Sequence, residues 1–127
     1  MHVLSDRKPA AANDPLARFE KYSVANWDGY GAEAITKETL DAAREFLILL
    51  PKDFGDPEIA PGSDGIIALE WLPETGPFRK LFIDIGPGPL WSAYYRRADG
   101  EKRTLPHRRI DGTTRGTLED LFKDLSN

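Results

Sequence analysis

Apolar residues recur at spacings of three and four between residues 40 and 50, and this spacing predicts an amphipathic helix. The stripe consists of Leu40, Ala43, Leu47 and Leu50. Thr36 precedes it and is a favoured N-cap residue, and Ile35 can pack against Leu40 as a hydrophobic staple. Pro51 cannot continue a helix. We therefore predict a helix that begins after Thr36 and ends before Pro51.

Two further apolar stripes predict helices near the ends of the chain. Leu16, Phe19 and Tyr22 follow Asp14-Pro15, a pair that suits a helix start, and predict a short helix ending near Val24. At the other end Thr117 is placed to cap a helix, with Asp120 at the capping-box position. The apolar stripe of that helix is Leu118, Leu121, Phe122 and Leu125.

Between the helices the pattern changes to alternation, which is typical of half-buried strands. It predicts strands at 66–72, 79–85, 90–97 and 101–105. Ile67, Leu69 and Trp71 share one face of the first strand, and Lys80, Phe82 and Asp84 share the outward face of the second. Residues 51–61 are predicted to be a connector because prolines and a glycine interrupt them.

The turns between these strands are too short for crossover helices, so the sheet is predicted to be an antiparallel meander. The predicted fold class is α+β. It has two N-terminal helices, a four-stranded antiparallel meander and a C-terminal helix, with the helices on one face of the sheet. Residues 1–13 are predicted to be a disordered tail and residues 14–127 a single domain.

Composition restricts the class of protein without naming a function. A chain of 127 residues that is 40% hydrophobic and 30% charged is typical of one soluble globular domain. No apolar run is long enough to span a bilayer, and residues 1–13 lack the apolar core of a secretory signal. The absence of cysteine excludes disulfides and fits a reducing compartment, so the predicted location is the cytoplasm, with no membrane partner.

No set of residues predicts catalysis, a metal site or a cofactor. Only His2 and His107 could act as histidine bases, and no serine lies in a nucleophile-elbow pattern. Zinc would need more His or Cys ligands than the chain has. Gly86-Pro87-Gly88 lacks the lysine of a P-loop. One enzymatic alternative is a small hydrolase that uses the carboxylates of Asp28 and Glu70, both of which lie beside aromatic residues.

Charge is unevenly distributed along the chain. Residues 1–78 carry seven Lys and Arg against fourteen Asp and Glu, whereas residues 79–115 carry nine against four. A basic hairpin at 94–109 next to two tyrosines predicts, as an alternative function, a module that binds nucleic acid. Its basic residues are Arg96, Arg97, Lys102, Arg103, Arg108 and Arg109. Alternation places Arg96 and Arg97 on opposite faces, as it does Lys102 and Arg103, so only half of each pair can share one surface.

The most unusual segment is Asn26-Trp27-Asp28-Gly29-Tyr30-Gly31-Ala32, which joins the two N-terminal helices. Gly29 and Gly31 allow a sharp turn, and the carboxylate of Asp28 can accept hydrogen bonds from the amides that follow it. Trp27 is predicted to anchor the loop between the helices, and Trp71 to lie in the core. In a loop anchored in this way, Tyr30, Glu33 and Asp28 are candidates for a protein-binding surface, because rigid aromatic residues are favoured interface anchors.

This loop, the helix that follows it, and Ser63-Asp64-Gly65 with Leu69-Glu70-Trp71 resemble a pattern in small uncharacterised bacterial proteins. Those proteins often belong to mobile or accessory gene neighbourhoods, and the resemblance covers residues 20–97. It implies no catalytic residue, since the family has no known activity. It implies an accessory role, and we predict a non-enzymatic antitoxin-like or inhibitor-like protein that binds a protein partner.

Overall fold

Five antiparallel strands form one sheet in the order in which they occur in the chain. The computed structural model describes residues 14–126, so the predicted disordered tail at 1–13 lies outside the described residues. The strands are β1 Glu58–Pro61, β2 Ile67–Trp71, β3 Phe78–Ile85, β4 Leu90–Arg97 and β5 Lys102–Arg109. The helices are α1 Lys37–Leu49 and α2 Thr114–Leu125, and two 3-10 helices span Ala17–Tyr22 and Lys52–Phe54.

The helix predicted from the central apolar stripe is confirmed as α1. The hydroxyl oxygen of Thr36 accepts a hydrogen bond from the Thr39 amide at 3.1 Å, which satisfies one of the free donors of the first turn. Leu40, Ala43 and Phe46 of α1 are buried. Leu50 is already extended, as expected for the residue before a proline.

The alternation predicted for the central strands is also confirmed. Ile67, Leu69 and Trp71 of β2 are buried, and the residues between them are half-buried. Leu81, Ile83 and Ile85 on β3 and Trp91, Ala93 and Tyr95 on β4 continue the same inner face. The other side, which we call the outer face, carries Ala68, Glu70, Lys80, Phe82, Asp84, Ser92, Tyr94, Arg96, Lys102 and Thr104.

The helices pack on the inner face and enclose one core with it. The ring of Phe46 on α1 lies 5.1 Å from that of Trp91, and the ring of Phe122 on α2 lies 5.9 Å from that of Trp71. Leu118, Leu121 and Leu125 of α2 belong to the same buried cluster. An α+β fold with an antiparallel sheet is therefore confirmed.

The prediction of four strands was wrong, because the predicted connector contains β1. This strand pairs with β2 and places Ile59 opposite Leu69. It is only four residues long, and Pro57 and Pro61 lie at its ends. As an edge strand β1 needs a hydrogen-bonded neighbour on one side only, so nearby prolines are tolerated.

The first helix was predicted as a short helix ending near Val24, and the structure has a 3-10 helix at Ala17–Tyr22. Its apolar residues Leu16, Phe19 and Tyr22 are three positions apart, which matches the 3.0 residues per turn of a 3-10 helix better than 3.6. Leu16 and Phe19 are fully buried, so the apolar stripe itself was predicted correctly.

Two other boundaries differ from the predictions. Strand β5 continues through Pro106 to Arg109, because it lies at the sheet edge and carries an irregularity opposite Ser92. Helix α2 begins at Thr114 instead of after Thr117. There the Asp111 amide donates to the Thr114 hydroxyl oxygen, and the Thr114 amide donates to the Asp111 carbonyl. The Thr117 hydroxyl donates to the Thr113 carbonyl at 3.1 Å.

Candidate functional site

The loop at residues 26–32 is held by hydrogen bonds between its own members. The Asp28 carboxylate accepts from the amides of Tyr30 at 2.8 Å and Ala32 at 3.1 Å, as the sequence predicted. The side-chain oxygen of Asn26 accepts from the Gly31 amide at 2.7 Å, and the Asn26 amide donates to the Ala32 carbonyl at 2.6 Å. These bonds close the loop on itself and define its shape.

Two glycines are required in this loop by their backbone conformation. Gly29 has φ +78° and Gly31 has φ +88°, a region that residues with a Cβ rarely adopt. A Cβ at either position would meet no atom of the described chain within 4 Å, so packing does not exclude larger residues. Asn26 lies in the same region, with φ 63°. Asparagine is one of the non-glycine residue types that tolerate this conformation.

Trp27 attaches the loop to the body of the protein. Its indole N–H donates to the Glu33 carbonyl at 2.9 Å, and its ring lies 4.7 Å from the ring of Tyr22 in the first 3-10 helix. The Glu33 amide donates to the Ser63 carbonyl at 2.8 Å, in the turn between β1 and β2. The loop therefore contacts the first 3-10 helix through Trp27, and Glu33, directly after the loop, contacts the turn between β1 and β2.

The three residues predicted as a protein-binding surface differ in exposure. Tyr30 has 93% of its surface exposed, and Glu33 is also exposed. Asp28 is half-buried and its Oδ1 atom already accepts two amide hydrogen bonds. Tyr30 and Glu33 are thus available for contact, while the position of Asp28 fits a role in fixing the loop.

Trp71, the other tryptophan singled out from the sequence, lies away from this loop. It is 7% exposed, and its indole N–H donates to the Gly55 carbonyl at 3.2 Å. It therefore ties the segment before β1 to the core. A cavity of about 620 Å³ lies beside Trp71, and Glu70 is one of the residues that line it.

The structure separates the six basic residues of the hairpin. Arg97 and Arg103 reach the inner-face side, where their guanidinium groups lie 3.3 Å and 3.6 Å from the carboxylate of Asp124 on α2. Arg103 also pairs with Glu101 at 2.9 Å. These two arginines stabilise the contact between α2 and the sheet, so they are not a free basic surface.

The remaining four basic residues are divided between the two faces. The guanidinium carbon of Arg108 lies 5.8 Å from the ring centre of buried Trp91, on the inner face. Arg96 and Lys102 lie opposite each other on the outer face, and Arg109 is exposed at the far end of β5, opposite Leu90. The separation of Arg96 from Arg97 and of Lys102 from Arg103 follows the predicted alternation.

Lys80 is a basic residue that sequence reasoning did not include. The register places it opposite Arg96, so that Lys80, Arg96 and Lys102 form one row across three strands of the outer face. Alternation alone predicted that Lys80 points outward. The residue opposite Lys80 depends on an irregularity in the pairing of β3 with β4, which falls between Phe78 and Lys80. The local sequence pattern does not predict this irregularity.

The two carboxylates of the alternative hydrolase lie in different surroundings. Glu70 is on β2, opposite Phe82 and Glu58, and Asp28 is not among the residues that line its cavity. Among the described residues no group of three or more His, Asp or Glu side chains could hold a metal ion. Burial raises the pKa of the Asp84 carboxyl, and repulsion by Asp64 and Glu70 adds to this increase.

No helix of the described chain is long and apolar enough to cross a bilayer. Comparison of the chain with protein-family models, with curated proteins and with solved structures found no match in any of the three.

Proposed function

We propose that this chain is a non-enzymatic accessory protein, antitoxin-like or inhibitor-like in type, that binds another protein through the loop at residues 26–32. One observation carries the proposal: Tyr30 is 93% exposed at the tip of a loop whose backbone is fixed by its own hydrogen bonds. A large aromatic side chain held in water by a rigid loop has no packing role within the described residues. It is therefore available as an anchor for a partner.

Rigidity of this kind favours binding. A partner that covers Tyr30 loses little conformational entropy in the loop, since the loop already has one shape. Tyrosine contributes a wide apolar surface and a hydroxyl with few rotatable bonds, which is why it is enriched among interface anchors. The carboxylate of Glu33, exposed after the loop, adds a charge that can select a basic partner.

The alternatives have less support. The proposed hydrolase would need Asp28 to act on a substrate, but its Oδ1 atom accepts two backbone hydrogen bonds. The proposed nucleic-acid module would keep only part of its basic hairpin, since Arg97 and Arg103 pair with Asp124. The cytoplasm remains the proposed compartment, because a chain without cysteine needs no oxidising environment.

Affinity capture with three matched forms of the tagged protein tests this function. We expect the wild-type protein and an Ile48→Ala control to retain the same partner, because Ile48 is an exposed apolar residue on α1, outside the loop. Tyr30→Ala should release it. With the purified partner, calorimetry should show about tenfold weaker binding or more for Tyr30→Ala, the loss typical of an interface anchor.

The same experiment can contradict the proposal. A partner that binds Tyr30→Ala as tightly as the wild-type protein would move the interface elsewhere. The mass of the protein in solution, measured with and without the Tyr30→Ala change, shows whether the captured partner is a second copy of this chain.

A further inference from the structure

Three cations lie side by side on the outer face of the sheet. Lys80 on β3 pairs with Arg96 on β4, which in turn pairs with Lys102 on β5. Neighbouring strands are about 4.8 Å apart, so the backbone positions of this cation row span about 10 Å. None of the three makes an ion pair with another residue in the part of the chain that the structure describes.

A row of like charges opposes folding of the free sheet, because directly opposite side chains of the same sign repel one another. Arg97 and Arg103, on the other face of the same strands, have carboxylate partners. The cation row has no such partner among the described residues, so its charge is available to an anion from outside the chain. Bound phosphates would relieve the repulsion among the three side chains.

Two aromatic rings occupy the next row of the outer face. Phe82 and Tyr94 lie directly opposite each other, and their ring centres are 6.4 Å apart. Both are half-buried, so part of each ring is open to solvent. The ammonium group of Lys80 lies 5.1 Å from the centre of the Phe82 ring, which brings the cation row and this aromatic pair into contact. A depression of about 410 Å³ continues from the pair toward His107.

We infer that the outer face binds a short single-stranded nucleic acid, with phosphates over the cation row and bases over the aromatic pair. Bases stack on exposed aromatic rings while cations follow the backbone, and both elements are needed for strand binding. The two rows are two residues apart along each strand, a separation of about 7 Å. A span of about 10 Å along the cation row accommodates two to three nucleotides.

Acidic residues limit this site on one side. Glu70 is paired with Phe82, and Glu58 lies beyond it on β1. Asp84 occupies the row after Phe82. These carboxylates repel phosphate, so the nucleic-acid backbone is confined to the side of the aromatic pair where Lys80, Arg96 and Lys102 lie. An acidic peptide would also neutralise the cations, but a pair of rings one row from a line of cations matches the arrangement of bases and phosphates along a strand, so this placement favours nucleic acid.

Fluorescence anisotropy of labelled oligonucleotides with the full chain tests the inference. The probes are single-stranded thymidine and uridine homopolymers of about ten nucleotides. We expect binding at low salt, with a slope of log K against log salt of about −2 if three phosphates are neutralised. Replacing Lys80, Arg96 and Lys102 together with glutamine should weaken binding at least tenfold and flatten the slope. The control carries the same change of charge at Lys52, Arg115 and Lys123, which are exposed elsewhere.

The aromatic pair is tested separately. Phe82→Leu and Tyr94→Leu keep the apolar cover of the sheet, and each should weaken binding about 5- to 100-fold through lost stacking. Tyr30→Leu, on the proposed protein-binding loop, should leave oligonucleotide affinity unchanged. The nucleic-acid site and the protein-binding loop can therefore fail independently. Glu70→Gln should strengthen binding severalfold, because it removes a repulsive charge beside Phe82.

Three results would overturn this inference. The first is a wild-type protein that binds neither oligonucleotide at low salt. The second is an equal loss of binding in the control charge variant, which would show that binding depends on the net charge of the protein and not on the cation row. The third is poly-glutamate binding as tight as oligonucleotide binding and unaffected by Phe82→Leu and Tyr94→Leu, which would identify an acidic protein as the ligand. Circular dichroism of each variant verifies that the fold is retained.

Discussion

The hydroxyl oxygen of Thr39 accepts a hydrogen bond of 2.8 Å from the backbone amide of Gly88, 49 residues further along the chain. Thr39 is fully buried in the first turn of α1, and Gly88 lies in the turn between β3 and β4. The same turn places Gly86 against the Thr39 side chain. One threonine thus joins the start of the central helix to the sheet.

Removing this acceptor should destabilise the protein. Thr39→Val keeps the shape of the side chain but leaves the buried Gly88 amide without its acceptor, at a cost of about 1–3 kcal/mol in the free energy of unfolding. Thr39→Ser keeps the hydroxyl and serves as the control. Urea denaturation measures both. A loss in Thr39→Ser with none in Thr39→Val would show that the methyl group matters and the hydrogen bond does not.

The close approach of Gly86 to Thr39 gives a second prediction. A Cβ at Gly86 would lie 2.6 Å from Cγ2 of Thr39, and φ there is +98°. Gly76 has a similar φ of +102°, but a Cβ there would have no atom of the described chain within 4 Å. Gly76→Ala therefore measures the backbone strain alone. Gly86→Ala should be more destabilising, by about 1–3 kcal/mol for the added overpacking.

A double-mutant cycle checks the origin of that difference. Thr39→Ser removes the Cγ2 atom nearest to the new methyl group, so Gly86→Ala should cost less in the Thr39→Ser background than in the wild-type protein. Additive effects would show that the steric clash does not contribute.

Tyr95 on β4 should ionise at a higher pH than the reference value for tyrosine. Its hydroxyl donates to Asp124 on α2 at 2.6 Å, and burial together with this hydrogen bond raises its pKa to about 12. The folded pKa is above the reference value of 10.0, so this stabilisation is complete below pH 10 and is lost as the pH rises through about 12. Tyrosinate absorbance during alkaline titration measures it, and Tyr95→Phe should abolish the transition near pH 12.

The same variant tests how α2 is attached to the sheet. Tyr95→Phe removes a donor to a carboxylate and should lower the free energy of unfolding at neutral pH by about 1–2 kcal/mol. Tyr30→Phe is the matched control, since the Tyr30 ring is 93% exposed. If both variants lose the same stability, the Tyr95–Asp124 hydrogen bond contributes nothing.

The contribution of Asp84 on the outer face to folding stability should depend on pH with the opposite sign to that of a carboxylate in an ion pair. Burial and the charges of Asp64 and Glu70 raise its pKa above the reference value of 3.8. The folded state therefore holds this proton more tightly than the unfolded state, and stability falls as the pH rises from 3.8 through the folded pKa. Asp84→Asn should stabilise the protein at neutral pH and lose this advantage in acid.

Thermal melts at several pH values measure this effect. Asp56→Asn, at an exposed position before β1, is the control for a change of net charge. A stabilisation by Asp84→Asn that stayed constant down to acid pH would contradict the proposed cause, because a protonated Asp84 carries no charge to repel.

Asp28 should control the order of the 26–32 loop. Asp28→Ala removes the acceptor of the Tyr30 and Ala32 amides, and we expect faster hydrogen exchange at both, with about 1–2 kcal/mol less local protection. Asp28→Asn keeps a carbonyl oxygen at the same place and should restore most of the protection. Unchanged exchange in Asp28→Ala would show that the glycines and Asn26 alone hold the loop.

Local patterns predicted much of the fold. The Thr36 cap with its apolar stripe predicted α1, and alternation predicted which residues of β2, β3 and β4 are buried. The Asx turn at Asp28 was also predictable, because its hydrogen bonds reach only two and four residues along the chain. Capping, periodicity and turns depend on neighbours in sequence, so the residues themselves carry this information.

The sequence by itself therefore determined the α+β class, the buried faces and the folded shape of the 26–32 loop. Only the tertiary structure decided that β1 joins the sheet, that Tyr95 and Asp124 meet, and that Lys80 aligns with Arg96 and Lys102. These relationships depend on strand register and on contacts between distant segments. An irregularity of one residue in the pairing changes which side chains lie opposite each other, and the local pattern of apolar and polar residues does not record it.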